Sequence, residues 1–192
     1  MMKKLSVPLL SLFILAGCAT QPSQLNLNPV IVQPVTTNAA TNIAIAVNSQ
    51  DARQDKALAK LNRNAQLQTL TASRLPEYLM QEVVEQQMRN RGYTINASSA
   101  TTLQVSINKL YAHVQEGNLH HQIDTIVDIS LIAKTANGSS YTKNYQTTYT
   151  TQGAFSASND AINSAMNQAL TEVINVMAKD TAIDDFIKRN AQ

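Results

Sequence analysis

Hydrophobic and polar positions follow two different periods along this chain, and the switches between them mark out its elements. Ile43-Ala44-Ile45-Ala46-Val47 is apolar at every position, as in a strand covered on both faces. Residues 48–71 are mostly polar and resist assignment, although residues 67–70 fit a short strand. Ser73 is then placed to cap a helix running to about Arg91, with Pro76 tolerated in its first turn. Leu79, Met80, Val83, Val84, Gln87 and Met88 give that helix one buried face, and Gly92 supplies its left-handed stop.

The period then becomes two. Leu103, Val105 and Ile107 alternate, after which the apolar phase jumps to Leu110, Ala112 and Val114. A one-residue β-bulge near Asn108-Lys109 explains the jump without losing the buried face. Residues 115–118 read as a turn. Ile123, Thr125, Val127, Ile129 and Leu131 alternate against polar positions, with Leu110 expected opposite Ile123. A second hairpin turns at Ala136-Asn137-Gly138. A two-residue loop there would set Tyr141, Tyr145 and Tyr149 on the polar face. A three-residue loop with Gly138 left-handed sends them to the apolar face, and that loop is the reading preferred. Lys143 then shares the apolar face and is expected near an edge, while Thr142, Asn144, Gln146, Thr148 and Thr150 face outward.

Ser156 or Ser158 opens the last long helix, whose stripe is Ile162, Ala165, Met166, Ala169, Leu170, Val173, Ile174 and Met177. Thr181 with Asp184 fits the cap of a short terminal helix carrying Phe186 and Ile187. The predicted fold is α+β: a two-layer sandwich in which two long helices pack on one face of a mostly antiparallel sheet, in the order β-α-β-β-β-α. Parallel or antiparallel placement of the first strand stays open.

The N-terminus carries the address. A short basic start at Lys3 and Lys4 precedes an apolar run over residues 5–15. At about eleven residues it is too short to span a bilayer, which takes about twenty, and it fits the apolar region of a secretory signal. Leu15-Ala16-Gly17-Cys18 follows, and Cys18 is the only cysteine in the chain. Small residues before a lone cysteine look like the lipobox of bacterial lipoproteins, in which the thiol is diacylated, the chain is cut between Gly17 and Cys18, and the new amino end is acylated. Ala19, rather than Asp, follows Cys18, which by the same resemblance favours the outer membrane. The expected organisation is a signal peptide over 1–17, a lipidated Cys18 with a flexible tether over 18–41, and one periplasmic domain over 42–192. Within the tether, Val30-Ile31-Val32 fits a short edge strand.

Charge changes the picture only slightly. The chain has 192 residues, 15 Lys+Arg and 13 Asp+Glu; removal of residues 1–17 takes Lys3 and Lys4 and no acid, leaving 13 of each. A balanced mature chain offers no electrostatic footprint for nucleic acid. With Cys18 acylated, no thiol remains for a disulfide, a metal or nucleophilic catalysis.

Several short strings carry a resemblance over nearly the whole length. They are Leu15-Ala16-Gly17-Cys18-Ala19, Leu70-Thr71-Ala72-Ser73-Arg74, Gln81-Glu82-Val83, Arg91-Gly92-Tyr93, Thr142-Lys143-Asn144-Tyr145, Gly153-Ala154-Phe155-Ser156-Ala157-Ser158-Asn159, Phe186-Ile187-Lys188 and Asn190-Ala191. In these the chain resembles the YajG family of enterobacterial outer-membrane lipoproteins. The resemblance implies an outer-membrane lipoprotein of unestablished biochemical role, and it offers no catalytic residue to carry over.

Chemistry-bearing residues are sparse. His113 and His120 are expected as cross-strand partners, but a metal needs a further ligand nearby. Lys109 is expected opposite Asp124 as a surface ion pair. Asp51 and Arg53 follow the first strand, where active-site loops often sit, yet there is no Gly-x-Ser-x-Gly elbow and no Gly-rich phosphate loop. No cofactor and no metal is expected, and the chain reads as a non-enzyme. The outward sheet face is the candidate partner surface, centred on Ile126, Asp128, Asn144, Gln146 and Thr148. The preferred function is an accessory or adaptor for a cell-envelope partner. A periplasmic binder of a small apolar or cell-wall-derived ligand is the alternative, and a hydrolase using Asp51, Arg53 or the histidines comes after it.

Overall fold

The computed structural model describes residues 23–34 and 42–191. Gly17 and Cys18, with the signal and cleavage readings attached to them, lie outside those residues. The main sheet has five strands in the order β5-β2-β6-β7-β8, formed by β2 (Ala44–Asp51), β5 (Thr94–Ile95), β6 (Thr102–Glu116), β7 (His120–Lys134) and β8 (Ser140–Ala154). Its long half, β6-β7-β8, is antiparallel. Strand β2 is parallel to both β5 and β6, which closes the choice left open by the sequence. Helices α1 (Pro76–Asn90), α2 (Asn159–Lys179) and α3 (Ala182–Asn190) pack on the sheet, α1 against β2 and β6, α2 and α3 against β7 and β8. The α+β sandwich is therefore as expected.

Both helical stripes are buried as the periodicity requires. Ser158 caps α2, its Oγ accepting from the Ala161 N–H at 3.1 Å. Helix α1 departs from expectation at its start. The Ser73 N–H is already committed to the Leu25 carbonyl, and Leu75 is the N-cap, with no side-chain cap. Pro76 decides this, because it fits the first helical position and forces extended backbone on the residue before it. At the other end Gly92 has φ +91°, with N–H bonds from Gly92 to Arg89 and from Tyr93 to Met88 closing the helix. Thr181 likewise makes no side-chain cap for α3; Asp180 Oδ1 accepts from the Ala182 N–H at 2.7 Å instead.

A second, three-stranded sheet, β1-β4-β3, stands outside the predicted order, although its β4 contains the short strand expected at residues 67–70. It comprises β1 (Gln24–Leu25), β3 (Ala59–Arg63) and β4 (Gln66–Ala72). Its hairpin turns through Asn64 and Ala65, both at positive φ, so the glycine that normally signals such a turn is missing. Residues 23–34 correct the expected flexible tether. Leu25 and Leu27 are buried in the core. Asn28 N–H bonds Asn167 Oδ1 and Val30 N–H bonds Thr171 Oγ1, both on α2. Strand pairing falls at Gln24–Leu25 rather than at residues 30–32. Gln87 Nε2 holds the Val32 carbonyl while also reaching that of Ile174.

The bulge is where the phase jump put it, between Ile107 and Lys109. The first hairpin is displaced, however. Gly117 N–H bonds the His120 carbonyl, and Leu110 pairs with Val127, not with Ile123. The two registers differ by an even number of residues, so alternation satisfies both equally and leaves the choice to the turn. The second hairpin matches the three-residue loop: Gly138 has φ +86°, and Tyr141, Tyr145 and Tyr149 stand opposite Ala133, Ile129 and Thr125. Lys143 sits on edge strand β8, its Nζ 3.1 Å from Asp180 Oδ2.

Candidate functional site

Alternation carries the five predicted surface residues to one side of the sheet, away from the helices. Asp128 lies directly opposite Gln146, Ile126 opposite Thr148, and Asn144 next along opposite Ser130. Asn144, Gln146 and Thr148 are exposed and Ile126 and Asp128 are half-buried. Lys109 and Tyr111 of β6 extend the patch, paired with Asp128 and Ile126.

Polar side chains cross this face from strand to strand. Asn108 Nδ2 donates to Ser130 Oγ at 2.6 Å and to Asp128 Oδ1 at 3.2 Å. Ser130 Oγ then donates to Asn144 Oδ1 at 2.8 Å. Nearer the first hairpin, Gln122 Nε2 and Thr150 Oγ1 donate to Asp124, and these bonds hold its carboxyl below its ordinary range. Between these clusters, Gln146 and Thr148 make no side-chain hydrogen bond among the described residues. Their amide and hydroxyl, flanked by the Ile126 side chain, suit wet hydrogen-bonded contact more than capture by charge.

The other sequence candidates are dispersed or consumed. His113 faces Asp124, and His120 pairs with Ala154 on β8, so the expected His113–His120 pair does not form. Lys109 likewise faces Asp128 instead of Asp124. His121 turns inward, its Nδ1 2.9 Å from the Phe155 carbonyl. Asp51 and Arg53 form a buried ion pair of 2.8 Å, both side chains only 6% exposed. Arg53 Nη1 also donates to the carbonyls of Leu110 and Ala57. That guanidinium stitches the edge of β6 where β2 has stopped pairing with it. Burial pushes the Asp51 carboxyl up, but its bonds from Arg53 and the nearby Lys56 outweigh this and leave it low. Among the described residues, no group of three His, Cys, Asp or Glu side chains is placed to hold a metal ion.

One exposed feature had no sequence signal. Leu119, at the tip of the first hairpin, and Phe155, just beyond β8, are 72% and 69% exposed. They adjoin, the Phe155 N–H bonding the Leu119 carbonyl at 2.9 Å. Phe155 has φ +59°, a conformation that costs a side chain of this kind about 1 kcal/mol or more. Beside them Gln115, Glu116, Gly117, His120, Gln122 and Gln152 line an open cleft of about 300 Å³. Isolated apolar residues in polar turns are common, and only their adjacency in space marks these two.

A family described as "Uncharacterized lipoprotein" matches residues 29–188. The uncharacterized lipoprotein YajG of Escherichia coli K12 is 44% identical over 192 residues, covering 100% of both chains, as is YajG of E. coli O6:H1 strain CFT073. Among solved structures, a DUF330 protein from Xanthomonas campestris superposes with a TM-score of 0.57 at 13% identity, covering 86% of this chain and 97% of that one. A putative neuraminyllactose-binding hemagglutinin homolog from Helicobacter pylori reaches 0.45 at 10% identity, covering 84% and 97%. No helix among the described residues is long and apolar enough to cross a membrane.

Proposed function

The chain belongs to the uncharacterized lipoprotein family that includes YajG, and from that premise we propose that it is a non-enzymatic adaptor, held by acylated Cys18 at the periplasmic face of the outer membrane. Several acyl chains on one residue anchor far more firmly than one, at about 0.8 kcal/mol per buried methylene. The partner is an envelope protein that docks on the outward face of β6-β7-β8. One observation supports this reading above the others. The patch around Ile126, Gln146 and Thr148 is a polar surface, with Asp128 and Lys109 as its charged members, on the longest strands of a sheet whose other face packs against helices.

The alternative, an apolar ligand between helices and sheet, gains nothing from the packing. Ile107, Ile129, Ile162 and Met166 are all buried there within one core. The hydrolase reading fares no better, since Asp51 and Arg53 are spent on each other and on backbone carbonyls.

Photocrosslinking in cells from Gln146 and Ile126, followed by mass spectrometry of the adducts, tests the proposal. The expected result is one envelope protein captured from both positions. Adducts to lipid or glycan alone, or none from either position, would sink it.

A further inference from the structure

The point at which the described chain begins marks the end of the domain nearest in sequence to Cys18. Ser23, where the described chain begins, is five residues past Cys18, a reach of at most about 18 Å when fully extended. That starting point is fixed: the Ser23 carbonyl accepts from the Thr71 N–H, and β1 runs parallel to β4. The step back from Gln24 to Ser23 runs along the direction from Thr71 to Gln66, toward the β3–β4 turn at Asn64 and Ala65.

That same end of the domain carries three exposed large apolar side chains, Leu67, Leu119 and Phe155, while Val30, Leu75, Tyr78 and Val176 are exposed apart from them. Arg63, at the close of β3, donates to the Ala157 carbonyl and to Asn159 Oδ1, tying the β3–β4 turn to the connection after β8. Phe155 lies two residues before Ala157 and bonds Leu119. Leu67, near the start of β4, is 65% exposed. Behind the Leu119–Phe155 tip, Gln115, Gln122 and Gln152 form an amide collar together with Glu116 and His120, and the Glu116 carboxylate accepts from the Ala157 N–H. Apolar side chains at the front and hydrogen-bonding groups behind them match the succession of acyl boundary and headgroups.

We propose that this end rests on the bilayer in which Cys18 is anchored, with Leu119 and Phe155 entering the headgroup–acyl boundary and Leu67 beside them. The inference rests on the reading of Cys18 as the acylated residue. Phe155 then recovers by burial in lipid what its left-handed backbone costs, and no packing inside the domain does this for it. Strands β6, β7 and β8 stand up from the membrane by up to about 45 Å, leaving the outward sheet face open from the side. Since no cluster of cations lines the tip among the described residues, the contact is driven by apolar burial and is insensitive to salt.

The test uses the full-length mature protein isolated from membranes, reconstituted in phosphatidylethanolamine–phosphatidylglycerol vesicles, with intact mass reporting acylation of Cys18. An environment-sensitive fluorophore is placed through Asn118→Cys at the tip, or through Ser139→Cys at the far hairpin. The expected result is severalfold stronger quenching by shallow spin-labelled lipid at 118 than at 139, unchanged by salt and lost in Leu119→Ser/Phe155→Ser. Equal, weak quenching at both sites in protein whose Cys18 is acylated overturns the tip contact and leaves the anchor standing. A mass showing unmodified Cys18 overturns the anchor, and the tip contact with it.

Discussion

The hydroxyl of Tyr93, just past α1, donates a 2.6 Å hydrogen bond to Oδ1 of Asp184 on α3, while Lys188 Nζ holds the other carboxylate oxygen at 2.8 Å. This bond fastens the terminal helix to the turn that ends the first one, and both Tyr93 and Asp184 are buried. Tyr93→Phe should lower stability by about 1–2 kcal/mol, the range for a hydrogen bond to a charged acceptor, as read by urea denaturation. Burial, and then the bond to Asp184, push the Tyr93 pKa well above its ordinary 10.0. The unfolded chain therefore loses this proton first. Stability from the neutral hydroxyl is complete below pH 10 and declines as pH rises beyond it. The variant should show a shallower alkaline limb than the parent.

Asp51 gives the opposite limb. Its folded pKa lies below the ordinary 3.8, so its contribution is complete above that value and is lost as pH falls through the lower folded one. Asp51→Ala leaves the Arg53 guanidinium buried without its carboxylate and should cost about 3 kcal/mol. Equilibrium unfolding at pH 7 and pH 3 checks both points: the difference between parent and variant should shrink at the lower pH.

Gly153 lies under the His121 ring. A Cβ built there would meet His121 Cε1 at 2.5 Å and Nε2 at 2.8 Å. The ring is buried and tied to the Phe155 carbonyl, so it has little freedom to withdraw. Gly153→Ala should destabilise by about 1–3 kcal/mol. His121→Ala combined with it should cost less than the sum of the two single changes, because the clash disappears. Strict additivity in the thermal unfolding of the four proteins would refute the contact.

Thr125 is fully buried on the inner face of β7, and its hydroxyl has no hydrogen-bond partner among the described residues. Thr125→Val removes an unsatisfied polar group at almost constant volume. It should raise stability by about 1 kcal/mol, visible as a higher urea midpoint with unchanged slope.

The elements that were legible in advance are those whose side chains sort cleanly between core and solvent. The stripe from Ile162 to Met177 needs only the 3.6-residue period. The jump from Ile107 to Leu110 needs only the rule that a buried face stays buried, and from it the bulge follows. Gly138 announced a three-residue loop because the alternative would have turned three tyrosines outward. By contrast, β3 and β4 bury few large side chains, chiefly Leu61 and Leu70, and turn through Asn64-Ala65 without a glycine. Only residues 67–70, inside β4, read as a short strand; neither period nor turn chemistry gave away β3 or the hairpin.

The candidate face was readable for the same reason. Ile126, Asp128, Asn144, Gln146 and Thr148 lie on one side because alternation puts them there, and the β7–β8 register that brings them together is the one the Gly138 loop implied. The even shift of register at the first hairpin separated His113 from His120 and Lys109 from Asp124, since opposite partners depend on register itself. The apolar tip was invisible, because Leu119 and Phe155 are far apart in sequence and each is unremarkable alone.

By itself, then, the sequence determined the faces: which side of each long helix and strand meets the core, and where the phase breaks. Tertiary structure decided the partners. It chose the hairpin register, spent Asp51 and Arg53 on β6, folded residues 23–34 onto α2, and brought Leu119 against Phe155. Faces follow from the geometry of one element and the expulsion of apolar groups from water, whereas partners depend on contacts between distant segments that no local period encodes.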